Sequence, residues 1–201
     1  MSEVIVDTLT HSGNTAGPAN ITLAGTGNVT VAKDLTVTET LTVPEKKLAC
    51  PGTIIQVLQD VKTDAWSGDT TFSDITGLSQ AITPSFANSK ILVRYMVWMG
   101  SSAQTHKETL LQRDIQSAGY SNIQETAHGC TTYSYTGDSD EEHHSLPNYF
   151  EYLDSPTYTL GDVITYKIQA RVGSGTAYVN RKHQVSTVLN TSYITLMEVV
   201  A

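Results

Sequence analysis

The chain has 201 residues, of which 39% are hydrophobic and only 16% charged, and it carries 29 Thr and 17 Val. β-branched side chains are stiff at χ1 and fit a pleated surface, so this composition predicts an all-β protein. It excludes a helical bundle or coiled-coil shaft, which need Ala/Glu/Lys/Leu-rich heptads. The formal charge of -8 excludes a nucleic-acid partner, because phosphate neutralisation needs clustered Lys and Arg.

The N-terminal sequence MSEVIVDTLTHSGN has no basic region followed by an apolar run, so no signal peptide is expected. No stretch approaches the ~18 apolar residues of a membrane span. Cys50 and Cys130 lie far apart and in no metal-type spacing, and are expected to be free thiols.

A short motif recurs in the first fifty residues: Asn20-Ile21-Thr22-Leu23, Asn28-Val29-Thr30-Val31, Leu35-Thr36-Val37-Thr38 and Leu41-Thr42-Val43. Each unit alternates apolar residues with Thr or another polar residue, the period of a strand with one buried face. Strands this short cannot enclose a core of their own. The apolar positions Ile21, Leu23, Val29, Val31, Leu35, Val37, Leu41 and Val43 are therefore expected to be covered by association, in a trimer or on an anchoring partner. Residues 1–43 read as an N-terminal stem or anchor. Residues 44–51, bracketed by Pro44 and Pro51, read as a linker, and residues 52–201 as a head domain.

The head reads as longer strands. Thr53–Gln59 is the first, and further strands are expected over 66–76, 79–83, 109–115 and 120–136. In Lys90–Met99, Ile91, Val93, Tyr95, Val97 and Met99 share one face. Leu92, Met96 and Trp98 on the other predict burial there too, against a second sheet or another subunit. Asn148–Leu153 follows. Asp162–Val172 places Ile164, Tyr166, Ile168, Ala170 and Val172 inward. Gly173-Ser174-Gly175 is expected to be a hairpin turn into Thr176–Val179. Ser192–Val200 closes the chain and is expected inside a sheet. Eight to ten strands in ~150 residues without long amphipathic helices predict a β-sandwich of jelly-roll form.

The blocks Ile75–Ser85, Asn88–Val93, Leu110–Arg113, Tyr152–Pro156, Thr165–Gln169 and Thr195–Glu198 resemble a module of tail-fibre and virion-appendage proteins of marine tailed phages, especially cyanophages. The N-terminal repeats resemble the strand-rich stems of such fibres. The resemblance implies a homotrimer with a jelly-roll head similar to tumour-necrosis-factor-like knobs. The chain is shorter than full tail fibres, which points to a short fibre, a spike or a capsid-bound appendage.

The polar cluster Asp138-Ser139-Asp140-Glu141-Glu142-His143-His144 reads as a solvated acidic loop. Carboxylates and imidazoles can bind metal, but no Asp-x-Asp-x-Asp-Gly order is present. Tyr133, Tyr135, Tyr149 and Tyr152 lie near it. They read first as packing residues and second as sugar-stacking platforms. The candidate receptor or ligand loop is thus Tyr133, Tyr135, Asp138, Asp140, Glu141, Glu142, His143 and His144. No Gly-x-Ser-x-Gly elbow and no His-Glu-x-x-His motif occurs, so no enzyme activity, cofactor or metal is expected.

The functional expectation is a bacteriophage virion structural protein, made in the host cytoplasm. It would be a short trimeric fibre or appendage, attached through residues 1–43 to a capsid or tail protein. Its head would be exposed for adhesion to bacterial surface glycan. Two alternatives stand beside it: a capsid-decorating cement protein without receptor binding, and a free carbohydrate-binding module.

Overall fold

Strict alternation decides the longest strands. The odd-numbered residues Ile91 to Met99 and the even-numbered residues Ile164 to Val172 are all fully buried. A pleated strand turns successive side chains to opposite faces, so each of these segments presents one continuous apolar edge to the same interior. The computed structural model describes residues 50–125, 129–135, 144–188 and 190–201, all within the compact unit Val43–Ala201. The expected stem strands, with Ile21, Leu23, Val29, Val31, Leu35, Val37 and Leu41, lie outside the described residues, as does Val43.

Eleven strands and no helices form among the described residues. They are β1 (Ile54–Lys62), β2 (Trp66–Gly68), β3 (Ser73–Ile82), β4 (Lys90–Ser101), β5 (Lys107–Ile115), β6 (Ser121–Asn122), β7 (Thr132–Ser134), β8 (Leu146–Asp154), β9 (Ile164–Val172), β10 (Ala177–Val179) and β11 (Ser192–Val199). All pairings are antiparallel.

The short strands extend the lanes of longer ones. β11 pairs with Lys90–Met96 of β4 and β10 with Met99–Ser101, so both run along one edge of β4 while β8 takes the other. β1 flanks β11 and β2 flanks β10. β6 and β7 share the edge of β5 that β9 leaves open. Counted as eight lanes in chain order, one sheet runs 1-8-3-6 and the other 2-7-4-5. Two four-lane antiparallel sheets in this order, with the last strand central beside the first, are a jelly roll.

Tyr95, Leu78, Leu111, Ile168, Ile194 and Leu196 fill the space between the sheets with the two alternating strands. Each fully buried side chain of this size contributes about 1.5–3 kcal/mol. Leu92, Met96 and Trp98 turn away from this core and are half-buried.

Three expectations need correction. The strand expected over 66–76 is two strands, because Asp69 Oδ1 accepts from Thr71 N at 2.7 Å and turns the chain after β2. Among the described residues of the segment 120–136, the strands are the short β6 and β7. Gly173-Ser174-Gly175 is not a hairpin turn: β9 belongs to one sheet and β10 to the other, so these residues carry the chain across the sandwich. Gly173 N bonds His106 O at 3.1 Å, and a Cβ there would sit 2.3 Å from the His106 ring. Gly175 adopts φ 76, where glycine is favoured.

Candidate functional site

The loop singled out in the sequence is held at both ends by a polar chain running in from the core. Tyr95 OH shares a hydrogen bond with Thr109 Oγ1 at 2.8 Å. Thr109 Oγ1 bonds Thr132 Oγ1, and Thr132 Oγ1 donates to Asn148 Oδ1 at 3.2 Å. The chain links β4, β5, β7 and β8, so the segment between Thr132 and Asn148 springs from a rigid base. Burial pushes the Tyr95 phenol well above the usual tyrosine range, so it acts as a neutral hydrogen-bonding group.

Of the eight candidate loop residues, Tyr133, Tyr135 and His144 are described, while Asp138, Asp140, Glu141, Glu142 and His143 lie outside the described residues. Tyr133 and Tyr135 are exposed. Tyr133 stacks on His106, ring centroids 5.3 Å apart. His106 Nε2 lies 3.4 Å from Glu108, which Arg171 also engages. Tyr133 on β7 thus sits, through His106, at the rim of the ion pair between Glu108 on β5 and Arg171 on β9. His144 is half-buried, and its Nδ1 is buried without a hydrogen-bond partner.

Tyr149 and Tyr152 do not join a platform with Tyr133 and Tyr135. They lie three apart on β8 and face opposite sides of the sheet. Tyr152 packs against the core beside Phe150, centroids 6.2 Å apart. Tyr149 stands on the outside at 48% exposure. Cys50 is exposed and Cys130 is buried, and neither is in a disulfide. Among the described residues no group of three or more His, Cys, Asp or Glu could hold a metal ion, and no helix is long and apolar enough to cross a membrane.

The two outer faces of the sandwich differ in chemistry. On the sheet of β3, β9 and β5 the outward side chains are mainly polar. Lys167 Nζ and Gln169 Nε2 both donate to the Asp74 carboxylate, at 2.9 and 2.8 Å. Burial works against the Asp74 charge, but these two donors outweigh it and hold its carboxyl below the usual range. Beside them stand Glu108, Gln112 and Arg171.

The outer face of β1, β11, β4 and β8 is apolar in rows. Val57, Met197, Leu92 and Leu153 align in one row, and Val61, Tyr193, Met96 and Tyr149 in another, with Trp98 and Pro147 beyond. Gln59, Thr195, Arg94 and Glu151 form the row between them. That polar row is internally paired: Gln59 Nε2 donates to Thr195 Oγ1 at 2.8 Å, and Arg94 Nε lies 3.9 Å from Glu151 Oε2. Sequence pattern flagged Leu92, Met96 and Trp98 on β4. It did not flag Val57, Val61 or Leu153, whose strands lack so clear an alternation.

Two buried polar knots hold this framework. Asp154 Oδ2 on β8 accepts from Arg113 Nη1 on β5 and from Tyr166 OH on β9, both at 2.6 Å, and so ties the sheets together. Burial and the adjacent Asp154 charge push the Tyr166 phenol far up. Glu198 on β11 is fully buried. It accepts from Ser85 N at 2.7 Å, Phe86 N at 3.1 Å, Ser89 Oγ at 2.8 Å and Gln56 Nε2 at 2.5 Å.

No protein-family profile matches the sequence, and no curated protein matches it. Among solved structures, the chain is similar to the Eiger TNF of S. frugiperda at 12% identity and TM-score 0.29, over 68% of this chain and 92% of that one. It is also similar to the VP2 subviral particle of infectious bursal disease virus at 10% identity and TM-score 0.34. That match covers 81% of this chain and 42% of that one.

Proposed function

We propose that this jelly-roll protein is a bacteriophage virion structural protein: a short homotrimeric fibre or appendage, joined to the particle through residues 1–43, with an exposed, non-enzymatic head. One observation carries the reading. The sequence blocks that resemble the marine-phage appendage module are scattered along the chain but meet in the two buried knots. Arg113, Asp154 and Tyr166 come from three separate blocks and bond to one another. Glu198 comes from a fourth and grips Ser85 and Ser89 from the first two. Blocks that interlock this way specify a framework, so the resemblance bears on the architecture of the module as a whole.

On this reading the head adheres to bacterial surface glycan through the loop based on Thr132 and Asn148. Loops on a rigid sandwich vary without disturbing the core, and three copies in a trimer multiply a weak contact by avidity. The test is a quadruple variant, Tyr133→Ala, Tyr135→Ala, Asp140→Ser and Glu142→Ser, carried on assembled particles. Adhesion predicts a lowered adsorption rate to host cells at normal copy number per particle. Adsorption at the wild-type rate would remove the receptor role and favour a capsid-decorating protein.

A further inference from the structure

We infer that the outer face of the β3–β9–β5 sheet, with β6 at its edge, is a binding surface for a neutral polysaccharide. The inference goes beyond the loop reading above: it assigns a contact to a sheet face, and no residue of the loop takes part in it.

Register lays the face out in rows. Arg171 on β9 stands opposite Glu108 on β5, and Lys167 stands opposite Gln112, which in turn faces Asn122 on β6. Between these rows Gln169 faces Asp74 of β3. The outer rows are four residues apart along β9, or about 14 Å at about 3.4 Å per residue. An aromatic ring stands at each of them. Phe72 lies 4.3 Å from the Arg171 guanidinium and Tyr120 lies 3.9 Å from Lys167 Nζ. Tyr120 keeps 43% exposure.

Charge selects the occupant. The cations of the face are matched one for one: Lys167 pairs with Asp74, and Arg171 with Glu108. An acidic or phosphate-rich polymer therefore finds no surplus positive charge here, on a chain whose formal charge is -8. A protein partner is disfavoured as well. Leu110, the apolar residue of the middle row, is 4% exposed, so the face offers no apolar centre of the kind around which protein interfaces are built.

What the face does offer is planar hydrogen-bonding groups set between two rings. The amides of Gln112, Asn122 and Gln169 each carry both donors and an acceptor, and the Asp74 side chain is 56% exposed. A sugar presents hydroxyls that donate and accept, and an apolar C–H face that packs on an aromatic ring. These groups are held in place before any ligand arrives. Lys167 Nζ and Gln169 Nε2 donate to Asp74 at 2.9 and 2.8 Å, and Gln112 Nε2 donates to Asn122 Oδ1 at 2.9 Å. Side chains fixed in advance lose less freedom on binding.

The experiment is titration calorimetry on the full chain, with galactomannan, dextran and laminarin as neutral polysaccharides and alginate as an acidic one. Saturable binding to at least one neutral polymer is expected, and none to alginate. The variant Tyr120→Ala/Asn122→Ala is expected to bind about tenfold more weakly, the loss of a packed ring and a hydrogen bond, with its circular dichroism spectrum unchanged. The matched pair Gln59→Ala/Glu151→Gln, on the other sheet's outer face, is expected to keep wild-type affinity. No binding to any neutral polymer, alginate bound as tightly as they are, or a folded Tyr120→Ala/Asn122→Ala variant with wild-type affinity overturns the inference. Should that variant fail to fold, Gln112→Ala/Gln169→Ala takes its place, with the same expected loss and the same refuting result.

The outcomes separate the two readings. A loop variant that adsorbs at the wild-type rate leaves sugar binding by the sheet face standing. A face that binds no sugar leaves the loop reading standing.

Discussion

Replacing Asp154 with Ala should be among the most damaging single changes in the head. Its Oδ2 is the acceptor for both Arg113 and Tyr166, and its side chain is only 8% exposed. Tyr166 is fully buried, so its hydroxyl would lose a charged acceptor with little access to water, a loss of about 2 kcal/mol. Breaking a fully buried ion pair costs about 3–5 kcal/mol. Arg113 retains 21% exposure and so recovers part of its hydration, which brings that component to about 2 kcal/mol. The sum is about 4 kcal/mol, or about 12 °C in Tm for a chain of this size. Tyr166→Phe leaves the ion pair intact and should cost about 1.5 kcal/mol. In the Asp154→Ala background the same Tyr166→Phe change should cost nothing and recover part of the loss, since it removes the stranded hydroxyl. Thermal and urea unfolding followed by circular dichroism read all three variants. An Asp154→Ala loss below about 1 kcal/mol, or full additivity of the two changes, would refute the inter-sheet tie.

Glu198→Gln should not be silent despite equal shape. Four donors converge on the carboxylate, and Gln56 Nε2 also donates to Thr83 O at 2.9 Å, so turning either amide sets like groups face to face. A loss of about 2 kcal/mol in urea unfolding is expected, and an unchanged midpoint would count against the buried cradle. The Asp74 carboxyl is held below its ordinary value in the fold. Its contribution is therefore fully present above about pH 4 and lost as pH falls through the folded value. Asp74→Asn should lower the urea midpoint at pH 7, and the gap from wild type should narrow at pH 3. A gap that is constant with pH would show that the charge of Asp74 is not what matters.

The jelly roll was legible where one strand face is buried and the other is not. β4 and β9 announce themselves because their alternation runs unbroken for nine residues. The expected place of β11 inside a sheet is met by its pairing with β1 on one side and β4 on the other. Turn chemistry was less readable. Gly173-Ser174-Gly175 has hairpin composition, but which sheet receives β10 is decided by its pairing with Met99–Ser101, a contact about seventy-five residues away in sequence. Between β2 and β3 the chain crosses from one sheet to the other at a turn where Asp69 accepts from Thr71 N and Val172 N, and Asp in a Thr-rich stretch carries no distinct signal. The knots were illegible for a similar reason: Arg113, Asp154 and Tyr166 each look ordinary until the sandwich brings them together. The apolar outer face was half visible, through Leu92, Met96 and Trp98 of β4. Its flanks on β1 and β8 emerged only from register.

The central claim is that the protein is part of a virus particle, and immunogold labelling of intact purified virions with antibody against residues 52–201 tests it most directly. The account predicts gold at fixed positions on the capsid or tail of each particle. Bare particles, with the protein confined to the soluble fraction of infected cells, would contradict it.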